Sequence, residues 1–264
     1  MHFTKMHGLG NDYLYVYGEV PGNIKELATK LSERHFGAGS DGMIYISPSD
    51  KADFKMRIFN ADGSEAKMCG NGIRCVGKYV YDKGYTDKKH LVIETLSGLK
   101  YLELDPRCGK VRQVKVNMGP TVAGDECTLK ADGSQWTGIP VSVGNPHIVF
   151  FVEDIKQVAL EKTGPAIEHH VLFPDGINAE FVQVLSPKVL KMRVWERGSG
   201  ITMACGTGAC ATVAAAVKAG YCENDTDVEV QLDGGSLKIR IEADGTAIMT
   251  GPAETIYEGE TEIC

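Results

Sequence analysis

Cysteine followed by Gly-X-Gly occurs twice, as Cys69-Gly70-Asn71-Gly72 and as Cys205-Gly206-Thr207-Gly208. The copies stand 136 positions apart, and the same offset aligns Lys55-Met56-Arg57-Ile58-Phe59 with Lys191-Met192-Arg193-Val194-Trp195 without a gap. Such a match marks two halves of one duplicated unit, each presenting a thiol at the same structural place. Two equivalent thiols facing one cleft can take a proton from one face of a carbon and return another to the opposite face. That is the chemistry of inverting a carbon centre. One Cys-Gly-X-Gly alone reads as a turn with a buried cysteine, so the duplication carries the weight. Neither copy has the Gly-Lys-Ser/Thr of a P-loop or the third glycine of a dinucleotide fingerprint.

The elements around the motif must hold each thiol at a helix start. Helices are expected from about Asn71 to Asp82 and from about Thr207 to Ala219, with stops near Gly84 and Gly220. The unpaired N–H groups and positive dipole end of a helix N-terminus favour a thiolate, drawing its pKa from about 8.5 towards neutrality. The same groups suit a substrate carboxylate. One thiolate and one thiol then form the working pair, titrating as a coupled unit without any cofactor. The second helix is small and apolar on every face, which predicts that it is buried by the strands of its own half.

A third helix is expected over Asn23–Phe36, and most of the remaining periodic segments alternate as strands separated by Gly or Asp-Gly turns. These are Met43–Ser47, Phe54–Asn60, Leu91–Thr95, Lys100–Leu104 and Val111–Asn117 in the first half. In the second they are Pro140–Val143, His147–Glu153, Phe181–Leu185, Leu190–Glu196, Val228–Leu232, Leu237–Ile241 and Ala247–Thr250. The fold class is therefore α/β in the α+β sense: two similar halves, each a curved, mostly antiparallel sheet around a central helix. The Gly-Pro break near Met118–Pro120 sets the boundary, giving residues 1–118 and 119–251. His169-His170 reads as a solvated helix end.

Other residues recur with the repeat. Asn11 precedes Cys69 by 58 positions and Asn145 precedes Cys205 by 60, so each can line the cleft of its own half. Asn60 and Glu196 occupy one repeat position, and the guanidinium of Arg197 suits a second carboxylate through a forked pair of bonds. Net charge is −7 with no basic run, which argues against nucleic acid or an anionic membrane surface. No stretch approaches the roughly 20 apolar residues of a membrane span. The first residues lack signal-peptide order, so a cytoplasmic location is expected. Most of the eight cysteines are then expected as thiols, and their spacings do not suggest a metal site.

Six ordered motifs closely resemble the diaminopimelate epimerase family. They are Met6-His7-Gly8-Leu9-Gly10-Asn11-Asp12, Phe59-Asn60-Ala61-Asp62-Gly63-Ser64-Glu65, Cys69-Gly70-Asn71-Gly72, Gly144-Asn145-Pro146-His147, Trp195-Glu196-Arg197-Gly198 and Ala204-Cys205-Gly206-Thr207-Gly208-Ala209. The resemblance runs on to Met249-Thr250-Gly251-Pro252-Ala253. It implies interconversion of LL- and meso-diaminopimelate for lysine and cell-wall precursor synthesis, by a cofactor-free two-base mechanism in a homodimer. Cys69 and Cys205 would be the acid/base pair. Gly70, Asn71, Gly206 and Thr207 would offer backbone donors to the carboxylate at the reacting centre, with Asn11 lining the site. Asn60, Asn145, Asn178 and Arg197 would hold the far end, the Glu196 region lying near an amino group. His147 and Glu196 would tune the thiols. The family fold implies a pseudo-twofold axis, with residues 252–264 returning to the first half. Many members carry Gln where this chain has Gly42, so one polar contact is expected to be missing there.

Three rivals remain at this level. A proline racemase-like enzyme would keep the thiol pair without a distal carboxylate site, against which Asn60, Asn178 and Arg197 speak. An isomerase relative lacking the pair conflicts with both cysteines. A redox sensor would use reversible cross-linking of Cys69 and Cys205 as its function.

Overall fold

Hydrophobic alternation and Gly-containing turns organise two units with the same order of elements. The computed structural model describes residues 1–263; Cys264, one of the cysteines expected as a thiol, lies outside the described residues. One unit comprises Met1–Val116 with the chain from Gly251 onward, and the other Asn117–Thr250.

In the first unit, strand Asn11–Tyr17 runs parallel to Gly42–Ser47, which pairs antiparallel with Phe54–Asn60, which runs parallel to His90–Thr95. In the second, Pro146–Phe151 runs parallel to Asn178–Ser186, which pairs antiparallel with Val189–Glu196, which runs parallel to Val228–Leu232. Registers match as well as order: Tyr15 faces Ile44 in one unit, and Val149 faces Glu180 in the other. The parallel pairs are bridged by helices, as a crossover requires. These are α1 (Ile24–Ser32) and α2 (Gly70–Asp82) in the first unit, and α3 (Leu160–Glu168) and α4 (Gly206–Lys218) in the second. Antiparallel pairs complete each sheet, among them His2–Gly8 against both Asn11–Tyr17 and Glu254–Glu260. The sheets are mixed, mostly antiparallel, with few helices.

The helix that starts at each cysteine is the buried one. All residues of α2 from Gly70 to Val80 are buried, including Arg74 and Lys78. Burying two cations requires partners. Arg74 donates to the carbonyls of Gly70 (3.0 Å) and Pro252 (3.1 Å), and Lys78 reaches Asp82 (2.6 Å) and the Val111 carbonyl (2.8 Å). The all-apolar α4 is buried from Gly208 to Ala216, as its lack of a polar face requires.

Two helices differ from the sequence expectation. The helix expected over Asn23–Phe36 ends at Ser32, because Glu33 turns extended and its Oε2 accepts the N–H groups of His35 (2.5 Å) and Phe36 (2.6 Å). That local cap competes with helix continuation. Of helix α3 only the end at His169-His170 was expected, not its body, since Gly164-Pro165 sits inside it. Packing overrides the breakers. A Cβ on Gly164 would lie 2.5 Å from the Trp195 ring, so only glycine lets the helix approach, and Trp195 Nε1 donates to Glu168 at 2.6 Å. Strands His2–Gly8, Asn11–Tyr17, Cys127–Ala131 and Glu254–Glu260 were not expected either; Asn11–Tyr17 holds a short continuous apolar run, residues 13–17, whose period alone does not mark a strand.

Gly42 has a backbone cause. Its φ is +153°, and a Cβ there would run into the Phe59 carbonyl and approach Asn60 Cα to 2.9 Å. Any side chain, Gln included, would force this strand edge apart. Gly42→Ala is therefore expected to destabilise by about 1–3 kcal/mol, read as a lower urea midpoint at unchanged slope. An unchanged midpoint would mean the backbone relaxes freely.

Candidate active site

Each cysteine is the N-cap of its helix, and its own sulfur does the capping. Cys69 is extended (φ −138°, ψ 117°), and its Sγ accepts the Gly72 N–H at 3.3 Å. Cys205 adopts nearly the same conformation (φ −119°, ψ 112°), and its Sγ accepts the Gly208 N–H at 3.3 Å. An N-cap side chain that satisfies the third residue of the helix is usually Ser, Thr, Asp or Asn. Here a thiol takes that place, so the reactive atom is fixed by the start of the helix. The N–H groups of Gly70 and Asn71, and of Gly206 and Thr207, belong to the first turn, where backbone N–H groups point outward along the axis and the dipole favours an anion. The glycines are needed for approach. A Cβ on Gly72 would lie 2.7 Å from Ile44 Cδ1, and one on Gly208 would lie 2.7 Å from Glu180 Oε1.

That pair of contacts exposes a chemical difference between the halves. Ile44 and Glu180 are repeat equivalents, separated by the same offset as the cysteines. Tyr13 and His147 are likewise equivalent, each two residues after its asparagine. With Asn60 and Glu196, the surroundings of Cys69 carry Tyr13, Ile44 and Asn60 where those of Cys205 carry His147, Glu180 and Glu196.

Around Cys205 the charges dominate. His147 and Glu180 are both fully buried, and His147 Nδ1 bonds Glu180 Oε1 at 2.7 Å. Since an ionised carboxylate only accepts, Nδ1 carries the proton in this bond. Thr202 Oγ1 donates to Glu196 Oε1 at 2.5 Å. Asn145 Nδ2 donates to Thr207 Oγ1 at 3.3 Å, and that hydroxyl lies 3.5 Å from the sulfur. Burial first, then the negative charges of Glu196 and Glu180, push the Cys205 thiol well above its ordinary range, against the bonds from Thr207 and Gly208. The sequence-based expectation of a thiol drawn towards neutrality is thus corrected at Cys205. Desolvation and two carboxylates outweigh a helix end. Glu196 is itself raised, mainly by burial and then by Glu180, opposed by its bonds from Thr202 and Cys205 and by His147.

Around Cys69 neutral groups dominate. Its Sγ–H donates to Asn11 Oδ1 at 3.3 Å. Tyr13 is buried, and its hydroxyl pKa is raised well above 10 by burial, then by Cys69 and Asp41. Asn60 stands at its strand end with Nδ2 donating to Ser64 Oγ at 3.1 Å.

Two further expected residues, Asn178 and Arg197, stand in the second unit. Asn178 is buried, its Nδ2 donating to the Pro146 carbonyl (2.8 Å) and its Oδ1 accepting the Arg197 N–H (3.0 Å). It ties the His147 strand to the Glu196-Arg197 turn. The exposed Arg197 donates through Nη1 to the Asp175 carbonyl at 3.0 Å. Glu168 braces the same turn by accepting the Gly198 N–H at 2.8 Å. Sequence reasoning missed Asp41, Tyr13, Glu168 and Glu180. Glu180 had a signal: it lies two residues from Asn178 in a strand, on the same face, as a charge within an apolar run. None of the seven described cysteines is in a disulfide. Among the described residues no group of His, Cys, Asp and Glu stands ready to hold a metal ion, and no helix is long and apolar enough to cross a membrane.

Comparison with known proteins bears on the whole chain. The family profile described as diaminopimelate epimerase matches residues 3–123 and 139–256. A diaminopimelate epimerase of Acetivibrio thermocellus is 50% identical, with 100% of this chain and 99% of that protein covered. One from Bacteroides thetaiotaomicron is 52% identical over 98% of this chain and 97% of its own. Among solved structures, a probable proline racemase from Agrobacterium radiobacter superposes with a TM-score of 0.78 at 16% identity, covering 100% of this chain and 93% of that one. That likeness shows the fold alone, the diaminopimelate epimerase-like fold. With two cysteine-capped helices in matching units and half the residues shared with these relatives along the full length, the chain is a member of the diaminopimelate epimerase family.

Proposed function

We propose that the protein epimerises LL- and meso-diaminopimelate by a two-base mechanism in which Cys69 and Cys205 act on one α-carbon. The observation that carries this reading is the repeated sulfur cap, which puts a thiol and a helix N-terminus at the same place in each unit. A carboxylate held by first-turn N–H groups of Gly70, Asn71, Gly206 and Thr207 gains fixed donors as negative charge spreads into it. One thiolate takes the α-proton and becomes a thiol. The opposite thiol gives its proton to the other face and becomes the thiolate. Atoms balance without any further reagent. Asn11 lines the reacting end, while Asn60, Asn145, Asn178 and Arg197 serve the distal end and Glu196 suits its ammonium group. The amino-acid ends of this substrate class account for that polar set, which a proline-like substrate would not use.

The unequal surroundings divide the roles. Cys205, walled by Glu196 and Glu180, holds its proton and is the resting acid, whereas Cys69 is the thiol that ionises to begin a turnover. Both sulfurs must stay reduced to work, which fits a cytoplasmic enzyme of lysine and cell-wall precursor synthesis. A homodimer belongs to the same reading.

Cys69→Ala and Cys205→Ala are each expected to lower the epimerisation rate by about 10²–10⁴-fold with an unchanged circular dichroism spectrum. Activity near that of the unmodified protein in either variant would remove the mechanism. The division of roles has its own check. Glu196→Gln removes a negative charge beside Cys205, so iodoacetamide labelling of Cys205 at pH 7 should rise, about three- to fourfold for each unit by which its pKa falls, once the lower nucleophilicity of a less basic thiolate is counted. Labelling that stays level or slows would show that Glu196 does not hold the proton there.

A further inference from the structure

The amide of Asn11 has a fixed orientation, and Asp41 fixes it. Asn11 Nδ2 donates to Asp41 Oδ2 at 2.8 Å, and the Asp12 N–H donates to the same oxygen at 3.0 Å. Asp41 Oδ1 accepts from Arg34 Nη2 at 3.0 Å, and that guanidinium nitrogen also reaches Asp12 Oδ1 at 3.2 Å. Lys5 closes the network at 2.8 Å from Asp12. The backbone joins in, the Asp41 N–H donating to the Asp12 carbonyl at 2.7 Å. An ionised carboxylate only accepts, so the group that Asn11 turns to Asp41 must be its NH2. The carbonyl end is thereby forced towards the sulfur of Cys69, 3.3 Å away.

An acceptor facing a sulfur favours S–H over the thiolate, since a carbonyl oxygen and a thiolate repel each other. It therefore opposes the helix N-terminus and the Gly72 N–H, both of which favour the thiolate. The opposition is useful. A thiolate made too stable is too weak a base to strip an α-proton, and Asn11 stabilises the thiol formed after the proton has moved. Were the amide reversed, its NH2 would join the helix end in stabilising the thiolate.

We propose that Asp41 is a positioning residue for epimerisation, locking the Asn11 amide with its oxygen towards Cys69 so that this thiolate stays basic enough to take the α-proton. The inference deepens the two-base reading and rests on it for its consequence, but the lock can be read without substrate.

The test is the pH dependence of iodoacetamide labelling of Cys69 in the free protein, followed peptide by peptide. Asp41→Ala frees the amide to turn and removes a negative charge, two changes of the same sign. Labelling of Cys69 at pH 7 should rise several-fold, its profile moving to lower pH, even after the lower nucleophilicity of a less basic thiolate. Cys205 labelling should keep its profile. Asn11→Ala should give a like shift, and the double variant should move it by less than the two single shifts together. An unchanged or slower rate at Cys69, or full additivity, overturns the proposal. Labelling of the buried Cys75 would mark a variant that has not folded. In that event a hydrogen-bond coupling between Asn11 Nδ2 and the Asp41 carboxyl carbon, measured by NMR on the unmodified protein, is the expected result, and its absence overturns the lock. None of these readouts depends on turnover, so failure of the two-base reading would show separately in the cysteine variants.

Discussion

The hydrogen bond from a first-turn glycine N–H to a cysteine sulfur organises the rest of the molecule. It is made twice, Gly72 to Cys69 and Gly208 to Cys205, both at 3.3 Å. For the sulfur to cap, the cysteine must be extended and the next residues helical at once, which calls for small residues in the first turn. For the helix to present that end, the rest of it must be buried, which explains why α4 is apolar on every face and why α2 pays for Arg74 and Lys78 with bonds to backbone carbonyls and Asp82. Strand order and register in each unit follow as the wrapping such a helix needs.

Given that common frame, chemistry is set by what stands opposite the first-turn glycine. Ile44 fills the place in one unit and Glu180 in the other. An apolar contact leaves the sulfur's proton to its helix and to the Asn11 amide. A buried carboxylate bonded to His147 instead adds negative charge and keeps the proton on Cys205. On the proposed two-base reading, duplication supplies two thiols, and divergence of the residues facing them suits one to be base while the other is acid. An epimerase needs both states together, because two thiolates could not return a proton and two thiols could not remove one.

Much of this was legible in the residues. The in-register repeat located both sulfurs, both capped helices and the asparagines that reach them, since a reactive side chain, its turn glycines and a helical pattern are local features. The strands around them could be read wherever apolar alternation was clean. The body of helix α3 was hidden because Gly164-Pro165 argues locally against a helix, and the Trp195 ring that overrides this local preference comes from 31 positions further on. Asp41 was hidden for a similar reason: a carboxylate beside glycines reads as a turn, and its value lies in a bond to Asn11 from a distant strand. The raised thiol of Cys205 was beyond reach, because burial and the convergence of Glu180 and Glu196 are tertiary facts.

On the two-base reading, two different sulfurs handle the proton on its way in and out. LL-diaminopimelate turned over in D2O by the purified protein, sampled early and followed by NMR, tests it most directly. Removal by one sulfur and delivery by the other predicts that the meso product carries deuterium at the inverted carbon, while the remaining LL substrate keeps its α-proton. Meso product that retains the substrate's own proton, or deuterium entering substrate and product together at equal rates, would contradict it.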